Sequence, residues 1–310
     1  MSMPAVSVII PTYNCADYIE QTLEGILNQT FQDFELIVVD DGSTDRTQDI
    51  VARHAPRVRL IVQKNSGVCV ARNRGISEAK GQFICLVDHD DYWFADKLAC
   101  QVEAMEKYPE SGVIYTDFTL WFPEDGRFPE PRTLHTAIPG DRIDPDYSGW
   151  IYHQLLLDCW VLTSTAMFRA EVFRNCGKFD ETLPYSEDWE LWLRICRKYP
   201  FTKLAYASTL YRQHPNQGNR KVRAVDYRTR LLTQAKKRWG LCSQDNRCIS
   251  AAVFNKKLAA YHADFGLYHL KAGHRTTATQ ALIKAWLTNP LHVKYPCYIA
   301  AGWVGWKPKW

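Results

Sequence analysis

Short apolar runs alternate with amphipathic stretches over the first hundred residues. Residues 6–10, 36–39, 58–62 and 83–87 are rich in branched aliphatics and bounded by polar residues, the pattern of buried strands. Between them, Tyr18, Leu23, Ile26 and Leu27 give helical spacing over 16–29. Asp45 is placed to cap a helix reaching about 54 and ending before Pro56. A third helix covers 68–79 and stops near Gly81, and Asp96 opens a fourth over 97–107. This strand–helix rhythm predicts a parallel sheet with right-handed crossovers. Beyond it the pattern predicts a strand at 113–118, a helix at 150–158, a strand at 165–168, a helix from 187 and two short strands near 203–212. Residues 122–149, rich in Pro, Gly and charge, read as an irregular loop, long enough to be either disordered or functional.

From about 220 strand signals vanish and helical periodicity takes over. The expected division is a domain at 1–219 and a helical region at 220–310. Within 259–290, Phe265, Gly266, Gly273, Ala278, Leu282, Ala285 and Pro290 fall near the spacings of one tetratricopeptide helix hairpin. The plainer alternative is a two-helix tail. Trp303, Trp306 and Trp310 beside Lys307 and Lys309 suit a peripheral membrane or protein contact through the tail. The competing reading is a tail that packs its aromatics on the protein.

Composition narrows the classes. Hydrophobic residues make up 46% of the 310, enough for a sizeable core. A formal charge of +4 with both signs interspersed is too mild to imply nucleic acid. The ten cysteines show no CxxC and no zinc spacing, so reduced, mostly buried thiols and a cytoplasmic compartment are expected. The N-terminus has no signal-peptide profile, and no window holds the ~18 apolar residues that span a bilayer. The expectation is a cytoplasmic protein, soluble or peripheral to the inner face of the membrane.

The chemistry sits where strands are predicted to end. Pro11-Thr12-Tyr13-Asn14 offers an aromatic ring and hydrogen-bonding groups that can hold a planar base. Asp40-Asp41 follows the second strand, where a carboxylate can accept a uracil N–H or a ribose hydroxyl. Asn65-Ser66-Gly67 leads into a helix carrying Arg72, which could reach phosphate or a base edge. Asp88-His89-Asp90-Asp91 follows the fourth strand. Carboxylates two apart there can share a ribose, a metal and a diphosphate, and hard oxygen ligands favour Mg2+ or Mn2+. In an open α/β sheet the carboxyl ends of the strands border the ligand crevice. Each motif has an ordinary reading as a turn or helix cap, which leaves Asp40 unexplained.

Taken in order, Val6 to Asn14, Val38 to Asp45, Ala71-Arg72-Asn73 with Gly75, Val87 to Asp91, Gly177 with Phe179-Asp180-Glu181, and Glu187-Asp188 with Leu191 and Arg194 resemble the family 2 glycosyltransferases of GT-A fold. The resemblance covers roughly 4–215. One departure is Ala95, where many relatives carry proline. The resemblance implies an α/β fold with a mainly parallel, Rossmann-like nucleotide-binding sheet and an α-helical C-terminal extension. It implies an inverting transfer from a nucleotide-diphosphate sugar, a UDP-sugar foremost, to a carbohydrate or lipid-linked acceptor in surface polysaccharide or glycolipid assembly. Tyr13 would flank the base and Asp40 bind it, with Asp41 close by. Asp88, next to His89, would contact ribose or a metal-bound water. Asp90 would ligate the metal, and Asp188, beside Glu187, would be the catalytic base. Tyr211-Arg212-Gln213-His214 resembles a later family motif, making His214 a metal or diphosphate contact. A sugar nucleotidyltransferase and a non-catalytic adaptor remain as alternatives. The former would be expected to carry a Gly-rich basic loop after the first strand, which Pro11 to Cys15 lacks.

Helix physics bears on the base. Ser186 is placed to cap the helix, with Trp189, Trp192, Leu193 and Cys196 as its buried stripe. Asp188 then lies in the first turn, where the helix N-terminus and a nearby cation both lower a carboxylate's pKa. The expectation is an Asp188 ionised at neutral pH.

Overall fold

The computed structural model describes residues 3–134, 140 and 142–308. The chain falls into two compact units, Met1–Ile151 with Trp160–Pro215, and Tyr152–Cys159 with Asn216–Trp310.

The first unit holds β1 (Val6–Thr12), α1 (Ile19–Leu27), β2 (Phe34–Asp40), α2 (Thr47–Ala52), β3 (Val58–Val62), α3 (Val68–Glu78), β4 (Phe83–Leu86), β5 (Tyr92–Trp93), α4 (Lys97–Lys107) and β6 (Val113–Trp121). After α5 (Tyr152–Leu155), which belongs to the second unit, come β7 (Met167–Arg169), α6 (Ala170–Cys176), α7 (Glu187–Ile195) and β8 (Phe201–Arg212). Among the described residues these strands make one eight-stranded sheet in the order β3-β2-β1-β4-β7-β6-β8-β5. Every residue of β1 is buried, as a parallel strand covered on both faces must be. Val8 and Ile10 face one layer with Leu23, Ile26 and Val38. On the other face Ile9 meets α3 so closely that a Cβ on Gly75 would stand 2.3 Å from its Cγ2.

Register brings the strand ends together. Thr12 pairs with Asp40 at the last rung of β1–β2. Val87 N–H donates to Ile9 O at 2.9 Å, so the Asp88–Asp91 turn begins beside the end of β1. At the far side Trp121 pairs with Arg212 where β6 and β8 end.

The predicted alternation holds for the first hundred residues and loosens afterwards. β7 runs antiparallel to both β4 and β6, and β5 antiparallel to β8, so the sheet is mixed though mainly parallel. The two short strands expected near 203–212 are one strand; its register slips twice against β6, around Asp117, and that breaks the alternation. The helix expected at 150–158 is the single turn α5, and α6 was not predicted.

The second unit adds α8 (Tyr227–Trp239), α9 (Ala251–Lys271), α10 (Arg275–Thr288) and α11 (Lys294–Trp303) to α5. Ala259, Ala263, Leu267, Ala278, Leu282 and Ala285 form its core with Tyr295. Small residues let α9 and α10 approach, since a Cβ on Gly266 would lie 2.9 Å from Leu282. Tyr152 Oη donates to Ala235 O at 3.1 Å and to Gly240 O at 3.0 Å, tying α5 to the end of α8. Cys242 and Cys248 form a disulfide, against the expectation of reduced thiols. A tight turn in which Ser243 N–H donates to Arg247 O at 2.8 Å brings the two together. Four of the free cysteines are buried, while Cys297 is exposed. Lys309 and Trp310 of the predicted tail contact lie outside the described residues.

Candidate active site

The site is assembled from the loops after β1, β2 and β4, the N-terminus of α7 and the end of β8. The first link joins the loop at Pro11–Asn14 to the acidic turn. Tyr13 N–H donates to His89 Nδ1 at 3.3 Å, and Thr12 Oγ1 lies 3.2 Å from the same nitrogen. Asn14 takes a left-handed φ of 47° and binds the neighbouring loop, its Oδ1 accepting Thr44 N–H at 2.8 Å. Tyr13 is left exposed.

Asp40 is wholly buried. Its Oδ1 accepts from Ser43 N–H at 2.9 Å, Gly42 N–H at 3.2 Å and Gln48 Nε2 at 2.7 Å. Its Oδ2 is buried with no hydrogen-bond partner. An ionised oxygen in that state is costly unless a ligand donates to it. Asp41 differs: its oxygens accept from Gln63 Nε2, Ser66 N–H and Gly67 N–H at 2.8–2.9 Å, which fixes the loop carrying Asn65 and Gly67. That loop passes close to Gly42, where a Cβ would meet Asn65 N at 2.9 Å.

Arg72 does not reach outward from its helix. It is buried, with Nη2 2.7 Å from Asp88 Oδ1 and Nη1 2.7 Å from Glu187 Oε1, over the ring of Phe179. Burial alone would weaken its charge, but the two carboxylates outweigh that and hold it protonated. Asp88 thereby joins the turn after β4 to the start of α7.

Asp90 Oδ2 lies 2.8 Å from His214 Nε2. Burial would raise the pKa of Asp90, but the hydrogen bond from His214 and the charges of His89 and His214 bring it below the usual value. Asp91 goes the other way: burial first, then the charges of Asp90 and Asp88, lift it well above the carboxylate range. It accepts Ser164 Oγ–H at 2.5 Å. The same hydroxyl accepts Asp88 N–H at 3.0 Å, so Ser164 shapes the whole turn. Arg212 braces it from β8, donating through Nε to Asp90 O at 2.7 Å and through Nη2 to Gln21 Oε1 at 2.9 Å. Its guanidinium stacks 3.9 Å from the Trp121 ring and 4.6 Å from Phe128.

Asp188 stands in the first turn of α7, but not as expected. Ser186 occupies the cap position with a left-handed φ of 60° and makes no capping hydrogen bond through its side chain. Asp188 keeps some accessible surface, yet the protein crowds it. That desolvation, with Glu187 next to it, pushes its pKa up to about 7 despite the opposing pull of Arg72 and of Trp189 N–H. The expected ionised carboxylate is therefore corrected to one that titrates near neutrality, because burial outweighs the helix dipole.

The structure thus links Thr12, Tyr13 and His89, Asp88, Arg72 and Glu187, and Asp90, His214 and Arg212 by direct contacts. Asp180 accepts from Thr182, and Glu181 accepts Asn73 Nδ2 at 2.9 Å. Ser164, Gln21 and Phe128 were not foreseen; each is an isolated polar or aromatic residue with no local pattern to mark it.

The donors suit a hard cation. Two carboxylates, Asp88 and Asp90, and the imidazole of His214 are a set that Mg2+ or Mn2+ accepts. Among the described residues, no three His, Cys, Asp or Glu side chains stand close enough together to hold an ion by themselves.

A mixed sheet in this order, with acidic turns closing its central strands, is the architecture of the GT-A glycosyltransferases. Residues 7–151 match the family model described as "Glycosyl transferase family 2". The chain is 32% identical over 205 residues to the Escherichia coli UDP-Glc:alpha-D-GlcNAc-diphosphoundecaprenol beta-1,3-glucosyltransferase WfaP, over 63% of this chain and 72% of the relative. An uncharacterized glycosyltransferase of Rickettsia typhi is 31% identical over 199 residues, 63% of this chain; the chain spans 59% of that relative's length. Among solved structures, residues 1–349 of S. aureus TarS in complex with UDP-GlcNAc superpose with a TM-score of 0.62 at 20% identity, over 97% of this chain and 87% of that one. The chain belongs to glycosyl transferase family 2.

Proposed function

We propose that the protein transfers a sugar from a UDP-sugar, with inversion, to a carbohydrate or lipid-linked acceptor. Asp40 accepts the N3–H of uracil through Oδ2, and Tyr13 flanks the ring. Asp90 and His214 would hold Mg2+ or Mn2+ jointly with the donor's diphosphate, with Asp88 meeting a metal-bound water or the ribose, and the cation would offset charge on the departing diphosphate. Asp188 accepts the proton of the acceptor hydroxyl as that oxygen attacks the anomeric carbon from the face opposite the nucleotide. The new glycosidic bond forms as the bond to the diphosphate breaks, and UDP leaves with the electron pair. A base titrating near 7 suits this step, being available ionised at neutral pH yet basic enough to take a proton.

The observation supporting this reading is the Asp88–Arg72–Glu187 bridge, which ties the turn after β4 to the start of the helix bearing Asp188. The UDP-dependent action in the name of the WfaP relative supports the choice of donor. The test is to offer UDP- and GDP-sugars with Mn2+ and identify the released nucleotide. Release of UDP from a UDP-sugar supports the proposal; inertness toward UDP-sugars with release of pyrophosphate from UTP and a sugar 1-phosphate would identify a nucleotidyltransferase instead.

A further inference from the structure

The second unit carries exposed large apolar side chains that the transfer reaction does not use. Between residues 283 and 306, Ile283, Trp286, Leu287, Leu291, Val293, Trp303, Val304 and Trp306 are all exposed. Leu291 is 91% exposed, Val304 86% and Trp303 67%. These are not poorly packed core residues. The inner face of α10 is complete with Ala278, Ala281, Leu282 and Ala285, and α11 lays Tyr295 and Gly302 inward. Soluble surfaces rarely concentrate so many large apolar side chains without a partner.

Charge identifies the partner. Residues 265–310 contain six Lys and Arg and no Asp or Glu. The rest of the chain then holds 32 basic and 34 acidic residues, a net −2, so the whole positive excess lies in this segment. The cations flank the apolar groups. Lys284 adjoins Ile283 and Lys294 adjoins Val293 in sequence. A Cβ on Gly305 would stand 3.5 Å from Arg275 Nη2, so the end of α11 returns to the start of α10. Tryptophan with lysine is the composition that settles at the boundary between headgroups and acyl chains, while like-charged cations are drawn to anionic lipid. Among the described residues no helix is long and apolar enough to cross a membrane. We infer that the α10–α11 hairpin docks on the surface of a bilayer carrying anionic lipid. The inference goes beyond the catalytic reading and does not depend on it.

The test is cosedimentation of the full chain with vesicles of phosphatidylcholine and of a phosphatidylcholine–phosphatidylglycerol mixture. Binding is expected to the mixture, to weaken as salt rises, and to shift tryptophan emission to the blue. Trp303→Ser with Val304→Ser should weaken partition about tenfold, as should Lys284→Glu with Lys294→Glu, with unchanged circular dichroism and melting. Absence of vesicle binding, or equal binding to both lipids, overturns the inference. So does an oligomer in light scattering that the serine variant dissociates, since the patch would then be a subunit interface.

Discussion

Arg72 and Asp88 are joined at 2.7 Å, and the other arm of the same guanidinium reaches Glu187 at the same distance. A planar fork can bridge two carboxylates from different elements, whereas an ammonium is a single point charge. One side chain therefore fixes the turn after β4 against the start of α7, and supplies positive charge beside Asp188. Asp188 feels burial first, then Glu187, with Arg72 opposing them and Asp88 adding to them. Arg72→Lys should loosen one of the two bonds and leave more negative charge uncompensated. The Asp188 pKa then rises, and the acid limb of the kcat/KM profile should move to higher pH by about one unit. An unmoved limb with lower activity throughout would mean that Arg72 only holds the fold.

Asp188 itself is expected to separate activity from stability. Asp188→Asn should lower transfer by about 10²–10⁴ while leaving UDP affinity intact. A folded-state pKa near 7 lies above the unfolded value, so the native state holds the proton more tightly. The stability gained from that proton is present at acid pH and is lost as pH rises through about 7. The asparagine variant does not ionise. It should match wild type near pH 4 and exceed it at pH 8 by on the order of 2–4 kcal/mol. Melting curves at the two pH values read this directly, and a variant less stable at pH 8 would contradict the burial argument.

His214 and Asp90 face one another at 2.8 Å, and the proposal makes both cation ligands. Chelation should abolish tight UDP binding. His214→Ala should raise the Mn2+ concentration needed to restore it, and Asp90→Ala should remove Mn2+ dependence altogether. Calorimetric titration of UDP with and without Mn2+ checks this. Metal-independent binding of equal strength in wild type would take both residues out of that role.

Much of this arrangement was legible beforehand because its signals are local. The runs ending at Val39 and Val87 mark strands, and Asp40 and Asp88–Asp91 follow them directly. What could not be read depends on residues distant in sequence. Ser164, 73 residues from Asp91, shapes the acidic turn, and Gln21 anchors Arg212 across 191 positions. The sequence offers Arg72 to phosphate or a base edge because nothing near it names Asp88 or Glu187 as partners. The pKa of Asp188 differs from the expectation for the same reason: the helix N-terminus is visible in sequence, while the crowding that outweighs it exists only in the fold. The Cys242–Cys248 pair escaped notice because its spacing matches no metal or redox motif.

Close packing of the strands beneath the site sets a steric limit. A Cβ on Gly81 would stand 2.5 Å from Ser7 N and 2.7 Å from the carbonyl carbon of Val6, both backbone atoms. β1 and β4 are paired just beyond this point; β1 ends at Thr12, and Asp88 stands two residues after the end of β4. Gly81→Ala must push the strands apart, at a cost of about 1–3 kcal/mol. Its melting temperature should fall, and UDP affinity should fall with it because the two loops no longer meet. A variant as stable as wild type would show that the strand pair has slack.

Base recognition rests on one atom. Asp40 Oδ1 is satisfied by Gly42, Ser43 and Gln48, while buried Oδ2 has no partner. A donor in the plane of a pyrimidine ring would supply the missing hydrogen bond, and uracil carries one at N3. Cytosine has an acceptor there, so its lone pair would face the carboxylate. UDP should therefore bind more tightly than CDP by about tenfold or more, in line with roughly 1.5–3 kcal/mol for a hydrogen bond to a charged group. Asp40→Asn can present either an amide oxygen or an NH2 group to the base. It should weaken UDP and narrow the gap to CDP, and titration of both nucleotides against both proteins measures that double difference. If the substitution weakens UDP and CDP equally, Asp40 supports the loop through Gly42 and Ser43 without reading the base.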